Sequence, residues 1–305
     1  SNLIYFGPGV HNLPNDTLFV PSGTTVYIDG GARVYGNIFT EGAHDVNIFG
    51  RGEVHPDGRG AGVWVRRSKN VRIDGIVVSQ LPIGQCDSVE LTNVKSISYY
   101  GWGDGMDVFS SSNVILDGVF CRNSDDCAAV YASTQGFKGG SNNVLVKNAT
   151  LWADVAHPIN IGGHGDPNGM DTVQNVTFRN IDILDQAEKQ VDYQGCLAIN
   201  PGDNTLVRNI TFENIRIEDF RNGQLVNFRI SFNPKYCVST GRGIQNVLVK
   251  DVTYNGSGEN LSIIAGYDEN HKISGIRFVN LVVNGRKITD DMPGKPKWYK
   301  TGDMA

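Results

Sequence analysis

The stretch WGDGMDVFSSSNVILDGVFCRNSDDCAAVYA, residues 102 to 132, contains two successive copies of one short pattern. Asp104 lies in the first copy, and Asp125 and Asp126 occupy the corresponding place in the second copy, 21 residues later. An interval of this size suits one turn of a small coiled β-unit. The stretch therefore predicts that three carboxylates meet on consecutive turns.

The phrase NVILDG at Asn113 inside this stretch recurs along the chain with intervals of 18 to 37 residues. Its second and fourth residues are apolar and its third is often polar, as a strand with one buried face requires. Such variable intervals favour a solenoid over propeller blades or leucine-rich repeats. The other copies are DVNIFG at Asp45, NVRIDG at Asn70, SVELTN at Ser88, NVLVKN at Asn143, NVTFRN at Asn175, NITFEN at Asn209, NVLVKD at Asn246 and GIRFVN at Gly275.

The position five residues into each phrase holds Asn, Asp or Gly, which tolerate a left-handed backbone at a tight bend. We expect Asn148, Asn180 and Asn214 to stack at one corner of consecutive coils. The predicted fold is therefore all-β, a right-handed parallel β-helix with coils about 4.8 Å apart. A single domain over residues 1–305 is expected, with an N-terminal cap and first turns over 1–44 and a closing tail over 285–305.

The composition is that of a globular chain, with 40% hydrophobic residues, 19% charged residues and 37 glycines for turns. The net charge of −5 gives no electrostatic attraction to nucleic acid or anionic membranes, and argues against a polyanionic substrate unless a basic cleft is present. The five cysteines fit no zinc pattern, so we expect no metal; buried thiols are favoured over disulfides, and the odd count leaves at least one thiol free. No cofactor is expected.

The chain carries no apolar run of the roughly 18 residues that span a bilayer. It begins at Ser1 without a charged-then-apolar leader, which is compatible with removal of a signal peptide or of a preceding domain. We expect a secreted or periplasmic monomer.

A regular strand would send the side chains of Asp125 and Asp126 to opposite faces. For both to reach one cleft the backbone must bend, and Asn123 and Ser124 are suitable turn residues. An isolated acidic pair usually serves a turn, and only the repeat register favours catalysis here. Carboxylates at short range push their pKa values apart, which is what a general acid and a general base require.

Five short motifs accompany the coil phrases: FGPGV at 6–10, GRGEV at 50–54, DGMD at 104–107, NSDDC at 123–127 and HPINIGG at 157–163. Together they resemble the clan of β-helical glycoside hydrolases that contains the family 28 polygalacturonases and the family 49 dextranases and isopullulanases. The resemblance covers essentially the whole chain.

The resemblance implies an inverting hydrolase in which Asp125 protonates the glycosidic oxygen while Asp104 and Asp126 activate water. An acid–base separation of roughly 6.5–9.5 Å is then expected. His157 would tune the pKa of the acid, and His164, in a literal Gly-His-Gly, is the less favoured alternative.

The Arg-Ile-Lys signature by which polygalacturonases bind substrate carboxylates is absent. The coil after His157 reads CLAINPGDN, and one coil later Arg229 is followed by Ser231 where a lysine is expected. This departure, with the FRIS and HPINIGG segments, favours family 49 and a neutral α-glucan such as dextran or pullulan, with a pectin hydrolase of the polygalacturonase type as the alternative.

The expected partner is a polysaccharide or oligosaccharide, with no nucleic acid and no membrane. Arg229 and Asn160 are expected to bind substrate, and Trp102 and Tyr131 to stack on sugar rings, ahead of Tyr99, Tyr100 and Trp152. Two other functions stay open: a polysaccharide lyase with Ca²⁺ and a basic residue, and a non-catalytic carbohydrate-binding or adhesin β-helix.

Overall fold

The computed structural model describes residues 2–190, 193, 195–257, 260–293 and 299–301. These residues form short strands and no helix. The strands of the first half are β1 (Asn2–Phe6), β2 (Gly9–Phe19), β3 (Thr24–Ile28), β4 (Ala32–Glu41), β5 (His44–Gly50), β6 (Glu53–His55), β7 (Val63–Arg66), β8 (Lys69–Asp74), β9 (Val77–Val78), β10 (Ile83–Gly84), β11 (Asp87–Thr92), β12 (Lys95–Ile97), β13 (Met106–Phe109), β14 (Ser112–Asp117), β15 (Phe120–Asn123) and β16 (Ala128–Tyr131). Those of the second half are β17 (Ser141–Ala153), β18 (Ile159–Ile161), β19 (Thr172–Asp185), β20 (Leu197–Ile199), β21 (Leu206–Ile217), β22 (Val226–Arg229), β23 (Gly243–Tyr254), β24 (Ser262–Ala265), β25 (Lys272–Val283), β26 (Arg286–Lys287) and β27 (Tyr299–Thr301).

The strands pair in parallel from one coil to the next, which confirms a right-handed parallel β-helix. The phrases at Asn113, Asn143, Asn175 and Asn209 lie in β14, β17, β19 and β21, which pair in that order. Their register aligns Val114, Val144, Val176 and Ile210. The predicted succession of coils is therefore confirmed.

The interior is a stack of aliphatic side chains, because the alternating pattern turns the same positions inward in every coil. Val114, Val144, Val176 and Ile210 are at most 1% exposed. Stacking like residues at this spacing removes apolar surface from water at every step, at about 25 cal/mol per Å².

Asparagine ladders occupy two corners of the coil. At the predicted corner the Asn180 amide donates to Asn148 (2.8 Å), and the Asn214 amide donates to Asn180 (3.4 Å), with φ near 55° at each. The sequence pattern did not predict a second corner, which is formed by the first residue of each phrase. There Asn209 donates to Asn175 (3.2 Å) and Asn246 donates to Asn209 (2.8 Å), again with positive φ.

The segment predicted as the N-terminal cap and first turns, residues 1–44, already belongs to the coils of the β-helix from Asn2 onward, since β1 pairs with β3 and β2 pairs with β4 in parallel. At the other end β26 folds back antiparallel on β25, and β27 adds to β24. Residues 294–298 and 302–305 of the predicted closing tail lie outside the described residues. All five cysteines are buried free thiols. Within the described ranges the fold contains no helix long and apolar enough to cross a membrane.

Candidate active site

Three stacked strands, β13, β16 and β18, form the floor of the site. Their register aligns Asp107, Ala129 and Asn160, whose side chains point away from the core, while Met106, Ala128 and Ile159 belong to it. The loops that precede these strands carry the predicted site residues. They are Asp104, Asp125, Asp126 and His157.

The predicted carboxylate cluster is present. One carboxylate oxygen each from Asp104, Asp125 and Asp126 lies within 4.8 Å of the other two. Because Met106 aligns with Ala128, the register counterpart of Asp104 is Asp126 rather than Asp125. These oxygens lie closer together than the expected acid–base gap of roughly 6.5–9.5 Å between carboxyl groups, because adjacent coils are close; the gap itself stays a prediction.

The bend predicted at Asp125 and Asp126 is also present. Strand β15 ends at Asn123 and β16 begins at Ala128, so both aspartates lie in the irregular connection. The buried Asn123 amide donates to Ser96 and Ser98 on the preceding coil, at 3.0 Å each. These hydrogen bonds hold the bend against the preceding coil, so the side chains of Asp125 and Asp126 can both reach one cleft.

Asp126 is buried and accepts four hydrogen bonds. Its Oδ1 accepts from the backbone N–H of His157 (3.0 Å) and lies 2.7 Å from His157 Nδ1. Its Oδ2 accepts from the Asn160 amide (2.9 Å) and the Tyr131 hydroxyl (3.1 Å). Burial alone would raise the pKa of Asp126, but the His157 charge and these bonds outweigh it and lower that pKa.

His157 is the direct cationic partner of Asp126. Burial and the charge of Asp126 raise the pKa of Asp125 more than the charge of His157 lowers it, so the predicted influence of His157 on the acid stays a prediction. Burial works against its proton, but Asp126 raises the pKa of His157 to about 9. Its Nε2 lies 2.7 Å from the carbonyl oxygen of Tyr193, which suits a second donated bond. The two groups therefore form a buried imidazolium–carboxylate pair.

Asp125 is half-buried and has no comparable partner. Burial, followed by the charge of Asp126, raises the pKa of Asp125 to about 6. Its Oδ1 accepts the Asp126 backbone N–H at 2.9 Å. Two consecutive carboxyls thus have pKa values shifted in opposite directions, because only Asp126 is hydrogen-bonded to a histidine.

Asp107 is a fourth carboxyl of the site that the sequence pattern did not identify. It lies on β13 beside Asp104 and is buried, and its Oδ1 has no hydrogen-bond partner among the described residues. Burial raises the pKa of Asp107 to about 8. Burial, followed by the charge of Asp107, also raises the pKa of Asp104 well above its usual range. We infer that this pair holds a proton at neutral pH.

The cluster lies in a cleft of about 910 Å³. Trp102 lines it, with an indole that is 68% exposed, and its φ of 61° is unusual for a bulky residue. The Gln80 amide donates to the Trp102 carbonyl (2.9 Å) and helps to hold this conformation. Tyr99 and Tyr100 line the cleft beside it.

Two of the predicted sugar contacts have other surroundings. The Tyr131 ring is buried between Phe109 (5.9 Å) and His164 (5.0 Å), so it offers little free face and its hydroxyl serves Asp126. Asn160 likewise serves Asp126 and Tyr131, the latter at 3.1 Å. Both are positioning residues in this geometry.

Arg229 does not line the cleft. It ends β22, two coils beyond β18, so the register places it away from the carboxylates. Trp152 is also elsewhere, under the guanidinium of Arg122 at 4.0 Å. The lining of the cleft thus gives no support to the prediction that Arg229 binds substrate, which stays a prediction.

Long loops supply lining residues that no periodic pattern reveals. They are Glu188, Gln190, Tyr193, Lys235 and Tyr236. His164, the less favoured histidine, also lines the cleft, and burial lowers its pKa. Among the described lining residues Lys235 is the single lysine or arginine.

Comparison with known proteins assigns the family. The family model described as glycosyl hydrolases family 28 matches residues 63–292, which include the whole carboxylate cluster and the loops around it. The chain belongs to glycosyl hydrolases family 28.

Its relatives in family 28 include a polygalacturonase of Juniperus ashei, 26% identical over 216 residues that make up 68% of this chain and 39% of the relative. An exopolygalacturonase of Cochliobolus carbonum is 24% identical over 69% of this chain and 52% of its own length. The chain thus spans about half the length of the curated relatives it matches.

Solved structures share the fold of this family 28 chain. A family 28 exopolygalacturonase of Yersinia enterocolitica has a TM-score of 0.63, with 13% identity over 96% of this chain and 73% of its own. The Streptococcus pneumoniae adhesin PfbA has a TM-score of 0.61, with 14% identity over 93% of this chain and 77% of its own. Dex49A of Penicillium minioluteum has a TM-score of 0.59, with 15% identity over 95% of this chain and 56% of its own. The predicted clan is confirmed, whereas a closer relation to family 49 is not.

The carboxylate cluster of this family 28 chain also satisfies the simplest criterion for a cation site, since three carboxylates converge. Ca²⁺, however, takes six to eight oxygen ligands. The four donors on Asp126 already use the roughly four lone-pair directions of a carboxylate. The donor set therefore fits proton transfer better than metal binding.

Proposed function

We propose that this chain is a glycoside hydrolase that cleaves α-glycosidic bonds in a polysaccharide containing galacturonic acid. The observation that carries the proposal is the contrast between adjacent carboxyls in one cleft: Asp126 is held ionised by His157, while the pKa of Asp125 is raised to about 6. Carboxyls with pKa values pushed apart supply the acid and the base of glycoside hydrolysis.

Asp125 acts as the general acid. Its proton goes to the glycosidic oxygen as the bond to the anomeric carbon breaks, so the leaving sugar departs as an alcohol. The charge on Asp126 favours the protonated form of Asp125 until that moment. Above about pH 6 Asp125 ionises, and activity falls.

Asp104 acts as the general base. Asp126 was expected to share this role, but its four protein donors leave no free lone pair for water. Beyond burial, which raises both pKa values, the hydrogen bond within the pair raises the pKa of Asp104 and lowers that of Asp107, so the shared proton rests on Asp104 in the free protein. Asp104 becomes the base when this proton passes to Asp107, the more deeply buried of the two. Asp126 then stabilises the positive charge that develops on the sugar.

The proposal keeps the inverting course that the family resemblance implies. The spacing of at most 4.8 Å between carboxylate oxygens is short for inverting enzymes, whose carboxyls are roughly 6.5–9.5 Å apart. The anomeric form of the first product therefore has to be measured directly. NMR of the product at early times gives this result.

The preference for a neutral α-glucan is not supported, and the alternative, a pectin hydrolase, fits better. The matched family is family 28, and the curated relatives include polygalacturonases. The net charge of −5 describes the whole chain rather than the cleft. In the cleft the charge of Asp126 is neutralised by His157, and the pKa values of Asp107 and Asp125 are raised. A bound uronate therefore meets less negative charge than the number of carboxyl groups in the cleft suggests.

Substrate contacts in this proposal come from the cleft walls. The exposed Trp102 and Tyr99 side chains can stack on sugar faces, and Lys235 can pair with a substrate carboxylate. In this proposal Lys235 supplies, from a different loop, the positive charge that the Arg-Ile-Lys signature would otherwise provide for substrate carboxylates.

The test is a panel of polygalacturonate, xylogalacturonan, dextran and pullulan, assayed for new reducing ends. We expect cleavage of a galacturonan and little of the glucans. Efficient cleavage of dextran or pullulan alone would reject the proposed substrate. An unsaturated, ultraviolet-absorbing product that disappears with a chelator would instead identify a lyase.

A further inference from the structure

The cleft extends unequally on the two sides of the carboxylate cluster. Toward the N-terminal end its floor continues over earlier coils, where Trp64 and Pro82 line it on β7 and before β10. Toward the C-terminal end no described lining residue belongs to β20, β22 or β24. The floor therefore spans about three coil steps, each about 4.8 Å, on one side and ends beside His157 on the other.

Loop residues form a wall at the C-terminal end of the cleft. The rings of Tyr193 and Tyr236 stack with centroids 5.3 Å apart and planes 15° from parallel. The Gln190 amide donates to the Tyr236 hydroxyl (2.9 Å), and that hydroxyl lies 3.2 Å from Gln190 Oε1. These contacts join loops from two successive coils, and we call Gln190, Tyr193 and Tyr236 the end wall.

The end wall is anchored on both sides. Its first loop is tied to the site because His157 Nε2 lies 2.7 Å from the Tyr193 carbonyl oxygen, with the two rings edge to face. Its second loop is held by Asp203, whose Oδ1 accepts the backbone N–H groups of Val238 (2.8 Å) and Ser239 (3.2 Å). These contacts hold both loops of the end wall in place.

The outward face of the sheet behind the wall is also covered. Ala198 and Asn227 lie in register with Asn160 on the next two coils and are buried, as Ala129 and Asn160 of the site floor also are, so the cover is shown by the residue packed on them. Gly195 is packed on them so closely that a β-carbon at its position would lie 3.0 Å from Asn227 Cβ. A continuous groove across these coils is therefore absent from the described part of the chain.

We propose that the end wall makes this protein act on chain ends. A polysaccharide enters from the N-terminal side, its terminal sugar stops at the wall, and the bond over Asp104 and Asp125 is cleaved to release a short product of fixed length. This inference rests on the proposed function for its substrate but not for its geometry.

The experiment follows viscosity and new reducing ends together during digestion of polygalacturonate, with chromatography of the earliest products. Cleavage at chain ends predicts one short product from the first time point and a viscosity that falls only as mass is released. A steep early loss of viscosity with products of mixed length would overturn the inference.

Variants Gln190→Ala and Tyr236→Ala open the wall without touching the carboxylates. The ratio of internal to terminal cleavage is expected to rise roughly tenfold, because a steric exclusion is removed while the chemistry is kept. The matched control is Tyr5→Ala, which removes a ring from another stacked tyrosine pair, Tyr5 with Tyr27 (6.0 Å), far from the cleft. Thermal melting checks that each variant is folded. An unchanged ratio of internal to terminal cleavage in both folded wall variants would contradict the role of the wall.

The same data separate the two proposals. Release of reducing ends from polygalacturonate tests the proposed substrate, and the ratio of internal to terminal cleavage tests the proposed role of the end wall. If another polysaccharide of the panel is cleaved instead, the proposed substrate fails and the ratio on that polysaccharide still decides the wall. Absence of hydrolysis on every polysaccharide rejects both.

Discussion

At the scale of single residues, the site depends on which carboxyl has a positive neighbour. Asp126 accepts four hydrogen bonds, two of them from His157, whereas Asp125 and Asp107 have raised pKa values. Repeat register predicted that the carboxylates meet. It could not predict Asp107, which occupies an ordinary alternating strand position, or the partner of His157, which depends on side-chain directions in an irregular loop.

Variants of Asp104 and Asp107 separate the base from the residue that takes up the shared proton. Asp104→Asn is expected to lower kcat by roughly two to four decades, the scale for losing a positioned base. Asp107→Asn should cost no more than about tenfold, because an amide resembles the protonated acid and adds no charge. The measurement is kcat on polygalacturonate at pH 5. Equal losses in both variants would show that a charge on Asp107 is needed.

The pair of His157 and Asp126 should make stability depend on pH. The pKa of His157 is raised to about 9 from an unfolded value near 6.5, so its stabilising contribution is complete below about pH 6.5 and is lost as pH rises toward 9. The lowered pKa of Asp126 makes its contribution present above about pH 4 and lost as pH falls further. The pair therefore stabilises most between about pH 4 and 6.5.

We expect His157→Gln to reduce the free energy of unfolding by about 3 kcal/mol at pH 5.5, the scale for breaking a buried pair, with a smaller reduction at pH 9. Urea unfolding at both pH values is the measurement. The control is His44→Gln, which removes the exposed partner of Asp45 (2.9 Å) and should change little. A penalty that grows toward pH 9 would contradict the ion pair.

At the scale of elements, the strand phrase determined most of what could be predicted. Alternating apolar residues and a terminal Asn, Asp or Gly are local features that repeat with the coil, so succession and register followed from them. The second asparagine corner was missed although the same phrases contain it, because Asn at a strand start also suits an ordinary turn. The end wall was missed because its loops have no period.

The ladder at the predicted corner can be divided into backbone and side-chain contributions at Asn180. Its side chain bonds Asn148 and Asn214, and its φ is 56°. Asn180→Ala is expected to cost about 2–3 kcal/mol of unfolding free energy, since a left-handed alanine costs about 1–2 and the ladder bonds about 1. Asn180→Gly, which tolerates this φ, should cost only about 1 kcal/mol. Equal midpoint shifts in urea would mean that backbone conformation contributes nothing there.

At the scale of the whole molecule, a stack of near-identical coils places function in the irregular loops. Parallel coils follow one another from β1 to β25, whereas the site uses the connections before β13, β16 and β18 and the loops of the end wall. Net charge, a property of the whole chain, argued against a polyanionic substrate, but pairing and protonation inside the cleft change the local charge. Family membership supports the galacturonan proposed above, which composition did not favour.

The most direct test of catalysis by this carboxylate cluster is the dependence of Asp125→Asn on the leaving group. On polygalacturonate, kcat should fall by roughly two to four decades, because the glycosidic oxygen must be protonated as it leaves. On an aryl galacturonide with an acidic phenol, the loss should be far smaller, since that leaving group hardly needs a proton. The alkaline limb of the pH profile near pH 6 should also disappear. Full activity of Asp125→Asn on polygalacturonate, or an equal loss on both substrates, would contradict the assignment of Asp125 as the acid.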